Sequence, residues 1–170
     1  MLKKEQPIGI FDSGVGGLTV ATAIHQILPN EEMIYFGDTA HLPYGDKSGE
    51  TIINYSRHIA DFLLEKNVKV VLIACNTVSA VAYNHLKEYI GDRVLVVNVI
   101  DPVVDYIGNH YSSSKIGVIG TKGTINSGTY ETKILAKDKG NKVASLATPL
   151  FVPMIEEGFI YDDVSNAIIR

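Results

Sequence analysis

The segment VVLIACNT (residues 70–77) contains an apolar run that ends abruptly in polar residues. Its first five residues are mostly β-branched and do not alternate with polar ones, which indicates a strand covered on both faces. The polar part begins at Cys75, the single cysteine of the chain. Because ligands of parallel α/β proteins bind at the carboxyl ends of the strands, this break predicts both a fold class and a candidate site.

Apolar segments of the same kind recur along the chain and alternate with longer amphipathic ones. We predict strands at residues 8–11, 33–36, 70–74, 94–97, 116–119 and 143–146. Helical spacing predicts helices at 18–28, 49–66, 78–89, 102–110 and 127–139, and a further helical pattern begins at Tyr161. This alternation is typical of parallel sheets with right-handed crossovers. The predicted fold class is therefore α/β, with doubly wound parallel sheets.

A domain boundary is predicted after the fourth strand. Asp101 and Pro102 are interpreted as a helix start, with aspartate as the N-cap and proline at the first helical position. A new strand–helix–strand series follows. We expect two pseudo-symmetric α/β lobes, at residues 1–98 and 99–170. The last helical pattern reaches Arg170 without a C-cap signal, so the second lobe is expected to be truncated.

Composition and charge restrict the classes of function. The chain has 170 residues, of which 46% are hydrophobic and 20% charged, as in ordinary globular proteins. A formal net charge of −4 argues against nucleic acid or an anionic membrane as a partner. One cysteine forms no internal disulfide, and the first apolar segment is too short for a signal-peptide core or a membrane span. We therefore expect a cytoplasmic protein.

The loop after the first predicted strand, DSGVGGLT (residues 12–19), is rich in glycine. Its glycines let a ligand approach the backbone, and the next helix directs free N–H groups at that position. The dinucleotide-binding fingerprint fails because the third glycine would fall on Thr19, and the phosphate-loop pattern fails as well. Asp12 and Ser13 fit a ligand that carries an ammonium and a carboxylate group. The alternative interpretation is an aspartate cap followed by a glycine turn.

The loop after the second predicted strand, GDTAHLPYGDK (residues 37–47), is long for a strand-to-helix connection. Longer loops are more often functional. It offers the ring of Tyr44 and the accessible backbone amide of Gly45 to a ligand. Asp38 is interpreted as a turn cap, whereas His41 is either a solvated loop histidine or a general acid or base.

The three loops follow strands of one predicted parallel sheet and should meet at one edge. The residues expected to converge on one cleft are Asp12, Ser13, Tyr44, Gly45, Cys75, Asn76 and Thr77. This convergence favours a reactive role for the cysteine over that of a small buried hydrophobe. The helical histidines lack metal-ligand spacing, so no metal site is predicted. The loop 120–124 and Glu156 are further candidates, with a capped helix start and a surface carboxylate as the alternatives.

The motifs together resemble those of bacterial glutamate racemases. The matching stretches are GIFDSGVGGLTV (9–20), FGDT (36–39) with PYG (43–45), ACNT (74–77), residues 116–130, and TPLFVP (148–153) with EEG (156–158). The resemblance runs over essentially the whole chain. It implies an isomerase of two α/β lobes that interconverts L- and D-glutamate for peptidoglycan synthesis without a cofactor.

The resemblance also implies roles for individual residues. Cys75 is implied as the thiolate that removes the α-proton, with assistance from Asp12. The implied substrate-binding positions are Asp12, Ser13, Tyr44, Gly45, Asn76 and Thr77, with Thr121 and Glu156 as additions. A second cysteine, in a Cys-Thr-His motif, protonates the opposite face in this family. The 170 residues contain no such motif, so an N-terminal fragment is expected. Glutamate is the implied small-molecule partner, and a homodimer is left open.

Other functions remain open on the sequence. One cysteine serves one face of an α-carbon, so a related aspartate racemase or a one-cysteine decarboxylase is an alternative, as is an amino-acid-binding module without turnover. No motif places a lysine for a Schiff base, so donors around the carboxylate must stabilise the carbanion. Cys75 must act as a thiolate. We therefore expect either a pKa below the free value of about 8.5, aided by a helix beginning near Val78, or an adjacent base.

Overall fold

The computed structural model describes residues 5–159 and 163–169. The strands are β1 (Ile8–Asp12), β2 (Met33–Gly37), β3 (Val70–Ile73), β4 (Leu95–Asn98), β5 (Lys115–Gly120) and β6 (Lys142–Ala147). The helices are α1 (Leu18–Ile27), α2 (Gly49–Glu65), α3 (Asn76–Val81), α4 (Tyr83–Ile90), α5 (Ile100–His110), α6 (Lys122–Asn126), α7 (Thr129–Lys137), α8 (Phe151–Glu156) and α9 (Asp163–Ile169). Short 3-10 turns lie at Thr39–His41, Tyr44–Asp46 and Gly91–Arg93.

The described strands form two parallel sheets. The first has the order β2-β1-β3-β4, and the second pairs β5 with β6. In the first sheet, Ile10 lies between Tyr35 of β2 and Leu72 of β3. The predicted α/β class with parallel sheets is therefore confirmed.

Helices cover both faces of the first sheet. On one face, Phe11, Val71 and Ile73 pack against α2 through a buried cluster that includes Leu63. On the other face, a smaller cluster centred on Ile10 packs against α1. Strands that are covered on both sides have little need of polar residues, which is why their sequences read as unbroken apolar runs.

The start of α5 differs from the prediction. The helix begins at Ile100, and the side-chain oxygen of Asn98 accepts the backbone N–H groups of Ile100 and Asp101 at 2.9 Å each. Asn98 therefore caps the helix, and the interpretation of Asp101 as the N-cap is wrong. The Asp101 carboxylate instead accepts hydrogen bonds from Lys133, at 2.6 Å, and from the Asn98 amide.

One predicted helix is divided in the structure, and another begins later than predicted. The helix predicted at 78–89 is bent at Ala82, whose φ of −116° separates α3 from α4. The apolar spacing could not reveal this bend, because Leu86 still packs into the same core as Val78. The helix predicted at 127–139 begins only at Thr129, after Gly128 in the left-handed region with φ +65°. A separate short helix, α6, precedes that glycine.

The end of the chain agrees with the predicted helical pattern where it is described. Helix α9 covers most of this pattern, whereas Tyr161 and Arg170 lie outside the described residues. Within residues 5–159 and 163–169, no helix has the length and apolar character needed to cross a membrane.

Candidate active site

A cavity of about 150 Å³ opens at the carboxyl edge of the first sheet. Its lining includes all of the loop residues predicted to converge, namely Asp12, Ser13, Tyr44, Gly45, Cys75, Asn76 and Thr77. The second half of the chain contributes Thr121, Lys122 and Glu156 to the same lining. Pockets for drug-sized ligands measure roughly 300–1,000 Å³, so this cavity is suited to a smaller molecule.

Cys75 is buried directly before the first residue of α3. Its thiol donates to the Ser13 hydroxyl, with a sulfur–oxygen distance of 3.4 Å. Burial, and then the charge of Asp12, raises the pKa of Cys75 above the ordinary value of 9.0, although hydrogen bonds from Ser13 and the Val78 amide oppose this shift. Of the two expectations for this thiol, the lowered pKa is therefore wrong, whereas an adjacent base stays a prediction. The motif alone carries no information on burial, which is the largest cause of the shift.

The Asp12 carboxylate holds the glycine-rich loop in place. Its Oδ2 accepts the backbone N–H groups of Gly14, at 3.3 Å, and Gly17, at 2.9 Å. A Cβ atom on Gly17 would lie 2.7 Å from the Asp12 Cβ and 2.9 Å from that of Ala74, so the loop requires glycine there. The structure thus gives Asp12 a role in holding the glycine turn, but the N-cap of α1 is Gly17 without a side-chain cap hydrogen bond, so the interpretation of Asp12 as the N-cap is wrong. The same side chain also lines the cavity, so the ligand-binding interpretation stays a prediction.

Tyr44 is held against the cavity by Asp38. The Tyr44 hydroxyl donates to Asp38 Oδ2 at 2.6 Å, and His41 Nδ1 lies 2.7 Å from the other carboxylate oxygen. Burial, followed by the hydrogen bond and charge of Asp38, raises the pKa of Tyr44. The interpretation of Asp38 as a turn cap is wrong, because its carboxylate contacts these side chains and makes no cap hydrogen bond. His41 is half-exposed and lies outside the cavity lining.

Polar contacts join the two halves of the chain at the cavity. The Thr77 hydroxyl oxygen of α3 lies 2.9 Å from that of Thr121. A Cβ on Gly45 would lie only 2.4 Å from the Thr121 Cβ, so the glycine permits this close approach. Beside it, Asp46 forms an ion pair with Lys122 at 3.2 Å. These contacts explain why residues of both halves line one cavity.

Glu156 adds a third carboxylate to the lining, after Asp12 and the ion-paired Asp46. Its Oε1 would lie 2.6 Å from a Cβ placed on Gly14, so it rests against the glycine-rich loop. Burial, and then the charges of Asp12 and Glu157, raises the pKa of Glu156. Because Asp46 is already paired with Lys122, the carboxylates of Asp12 and Glu156 form a suitable environment for an ammonium group. Over the described part of the chain, no group of three or more histidine, cysteine, aspartate or glutamate side chains is placed to hold a metal ion.

Two tyrosines that support the site were not predicted from the sequence. The Tyr35 hydroxyl donates to the Gly14 carbonyl at 3.0 Å, and burial raises the pKa of Tyr35 to about 12. The Tyr130 hydroxyl donates to the side-chain oxygen of Asn76 at 2.7 Å, across 54 residues of sequence. Neither tyrosine belongs to a loop with a recognisable spacing, so the folded structure is needed to find them.

Comparison with known proteins gives a consistent assignment. No protein-family model matches the chain. The glutamate racemase of Chlorobaculum parvum is 46% identical over 154 residues, which cover 91% of this chain and 56% of that protein. The glutamate racemase of Aquifex aeolicus is 45% identical over 163 residues, which cover 96% of this chain and 63% of that protein. The chain thus spans between 56% and 63% of the length of these relatives.

Solved structures agree with the sequence relatives. The glutamate racemase from Francisella tularensis, solved in complex with D-glutamate, matches with a TM-score of 0.89 at 43% identity, over 96% of this chain and 61% of that one. A glutamate racemase isoform from Bacillus anthracis matches with a TM-score of 0.90 at 34% identity, over 98% of this chain and 62% of that one. The resemblance seen in the motifs is confirmed: the sequence homologues of this chain and its structural neighbours are glutamate racemases.

Proposed function

We propose that this chain carries one proton-transfer side, that of Cys75, of a cofactor-independent enzyme that interconverts L- and D-glutamate for peptidoglycan synthesis. One observation carries the proposal: the single thiol lies in a small cavity together with the carboxylates of Asp12 and Glu156, the Asp46–Lys122 ion pair, and several hydroxyl and amide groups. The family supports glutamate as the substrate, and its Francisella tularensis member was solved with D-glutamate.

The proposed binding mode follows from the charges around the cavity. The substrate ammonium lies against the carboxylates of Asp12 and Glu156. The α-carboxylate accepts hydrogen bonds from the hydroxyls of Thr77 and Thr121 and from the NH2 group of Asn76. The oxygen of that amide is already engaged by Tyr130, which supports the use of its NH2 group as the donor. Tyr44 and Gly45 close the side of the cavity.

The proposed chemical step is abstraction of the α-proton by the Cys75 thiolate. The C–H bond breaks, an S–H bond forms, and the electron pair passes into the substrate carboxylate, where the surrounding donors stabilise the negative charge. A substrate ammonium beside the sulfur lowers the pKa of the thiol, which opposes the effects of burial and of Asp12. Return of a proton to the opposite face needs a second acid, and the 170 residues hold no second thiol.

Alternative functions remain to be tested because the chain has a single thiol. A cavity of this composition also serves a module that binds an acidic amino acid without turnover, or a relative that acts on aspartate or decarboxylates its substrate. Calorimetric titration with L- and D-glutamate and with L-aspartate identifies the preferred ligand. Tight binding of aspartate with no heat from glutamate would contradict the proposed substrate.

Proton exchange tests the proposed role of Cys75. We would incubate the protein with L- or D-glutamate in D₂O and follow the α-proton by NMR. The unaltered protein should exchange the α-proton of one enantiomer, whereas Cys75→Ser should bind glutamate without exchanging it, because a hydroxyl is a poorer base at neutral pH. Exchange that continues in Cys75→Ser would remove Cys75 from the mechanism.

We also propose that residues 1–98 and 99–170 form two lobes. The two separate parallel sheets support this division. A homodimer in solution and a cytoplasmic location stay predictions. Light scattering and cell fractionation test them respectively.

A further inference from the structure

Three threonine hydroxyls form a closed triangle beside the cavity. The hydroxyl oxygens of Thr77 and Thr121 are 2.9 Å apart, those of Thr121 and Thr124 are 3.1 Å apart, and those of Thr77 and Thr124 are 3.4 Å apart. Thr77 and Thr121 line the cavity, whereas Thr124 lies behind them and is only 3% exposed. The buried member of the triangle thus contacts both hydroxyls to which we assign the substrate carboxylate.

The donors and acceptors of the triangle restrict the direction of the Thr124 hydroxyl proton. Each threonine hydroxyl has one proton to donate and two lone pairs that accept. The Thr124 side chain is buried against the other two hydroxyls, so its proton is directed into the triangle. The hydroxyl that receives this proton can turn its own proton toward the cavity. Linked hydrogen bonds of this kind strengthen one another in a buried setting.

The backbone of Thr124 acts in the same direction. Its N–H group donates to the Thr121 hydroxyl oxygen at 3.2 Å and so occupies a lone pair of that oxygen. Because this lone pair is engaged, the hydroxyl proton of Thr121 can adopt fewer orientations. The triangle also fixes the separation between Thr77 on α3 and Thr121 at the start of α6, which come from different halves of the chain.

We propose that Thr124 is a positioning residue that directs the hydroxyl protons of Thr77 and Thr121 toward the ligand carboxylate. This inference rests on the proposed function, because it requires an amino-acid carboxylate in the cavity. Thr124 itself does not touch the ligand. Its effect is therefore expected in ligand affinity, through the two hydroxyls that it holds.

The chain offers matched variants for a test. Thr124→Val removes the hydroxyl while it keeps the side-chain shape and the backbone donor. Thr124→Ser restores the hydroxyl and removes only a methyl group. Thr129→Val is the control: the Thr129 hydroxyl donates to the Ala80 carbonyl at 2.8 Å and also joins the two halves, but it lies outside the cavity lining.

The affinity of each variant for D-glutamate is measured by calorimetry on the 170-residue protein, and thermal melts check that each variant folds. We expect Thr124→Val to weaken binding about tenfold, as the loss of one directed hydrogen bond to a charged group does, and Thr124→Ser and Thr129→Val to stay within about threefold of the unaltered protein. Unchanged affinity in Thr124→Val, or equal losses in Thr124→Ser and Thr124→Val, would overturn the inference and leave the proposed function standing. No heat from the unaltered protein would overturn both.

Discussion

The sulfur of Cys75 lies 3.4 Å from the hydroxyl oxygen of Ser13, although 62 residues separate them in the sequence. The contact exists because β1 and β3 are neighbours in the first sheet and end side by side. One residue before the thiol, the Ala74 N–H still donates to the Phe11 carbonyl at 2.8 Å, as a continuation of the strand pairing. The position of the thiol is therefore set by the sheet itself.

The raised pKa of Cys75 predicts an alkaline profile for its reaction with iodoacetamide. In the folded protein the rate should keep rising above the pH at which the unfolded chain levels off, because only the thiolate reacts. In urea the profile should level off near the ordinary value. Since folding favours the protonated thiol, the free energy of unfolding should fall as pH rises above the pKa of the unfolded state. A plateau below pH 8 in the folded protein would contradict the raised pKa.

Asp12→Asn should separate the charge of Asp12 from its loop contacts. An asparagine oxygen still accepts the Gly17 N–H group, so the loss of stability should stay within about 1–2 kcal/mol. Removal of the charge should lower the pKa of Cys75 and speed its alkylation at neutral pH, whereas α-proton exchange should slow by about 100-fold or more because the substrate ammonium loses a partner.

Asp138→Asn is the matched control for that variant. The Asp138 carboxylate likewise accepts loop N–H groups, from Ser113 and Gly140 at 2.8 Å each, and it lies away from the cavity. Asp138→Asn should leave unchanged both the pH profile of Cys75 alkylation and the rate of α-proton exchange. If Asp12→Asn abolished folding in thermal melts, the structural role of Asp12 would outweigh its role in binding.

Gly45→Ala should damage the junction between the two halves. The new methyl group would lie 2.4 Å from the Thr121 Cβ, and relief of such overpacking typically costs about 1–3 kcal/mol. Thermal melts should show this loss, and calorimetry should show weaker glutamate binding because Thr121 is displaced. Gly117→Ala is the control, since a Cβ there meets no atom within 4 Å. Equal melting temperatures for both variants would refute the close contact.

The 170-residue chain should not racemise glutamate by itself. Inversion needs proton carriers on opposite faces of the α-carbon, and Cys75 is the only thiol in the sequence. In D₂O, one enantiomer of glutamate should acquire α-deuterium while its optical rotation persists. Loss of optical rotation would show that another group of this chain serves the second face.

Much of the fold was predictable because burial on both faces leaves a simple pattern. The strands around Ile10 and Leu72 are mostly apolar, so their bounds could be predicted to within one residue. The convergence of the loops at Asp12 and Cys75 followed from the parallel order, which places all strand ends at one edge. These inferences needed only local composition and a general rule of sheet topology.

The remainder depended on contacts that the linear sequence does not encode locally. Asn98 rather than Asp101 caps α5, and both residues are good caps, so only the exact path of the backbone distinguishes them. Tyr130 reaches Asn76 from the other half of the chain. The raised pKa of Cys75 could not be inferred from the motif, because it depends on burial and on a carboxylate from another strand.

The bend at Ala82 has a consequence for the chemical durability of the protein. It ends α3 after six residues, or about 9 Å, so the dipole that points at Cys75 is that of a short helix. Burial and the charge of Asp12 raise the pKa of Cys75, so folding favours the protonated thiol. Peroxides attack thiolates and leave thiols largely alone. We therefore expect peroxide to oxidise Cys75 more slowly in the folded protein than in the unfolded chain.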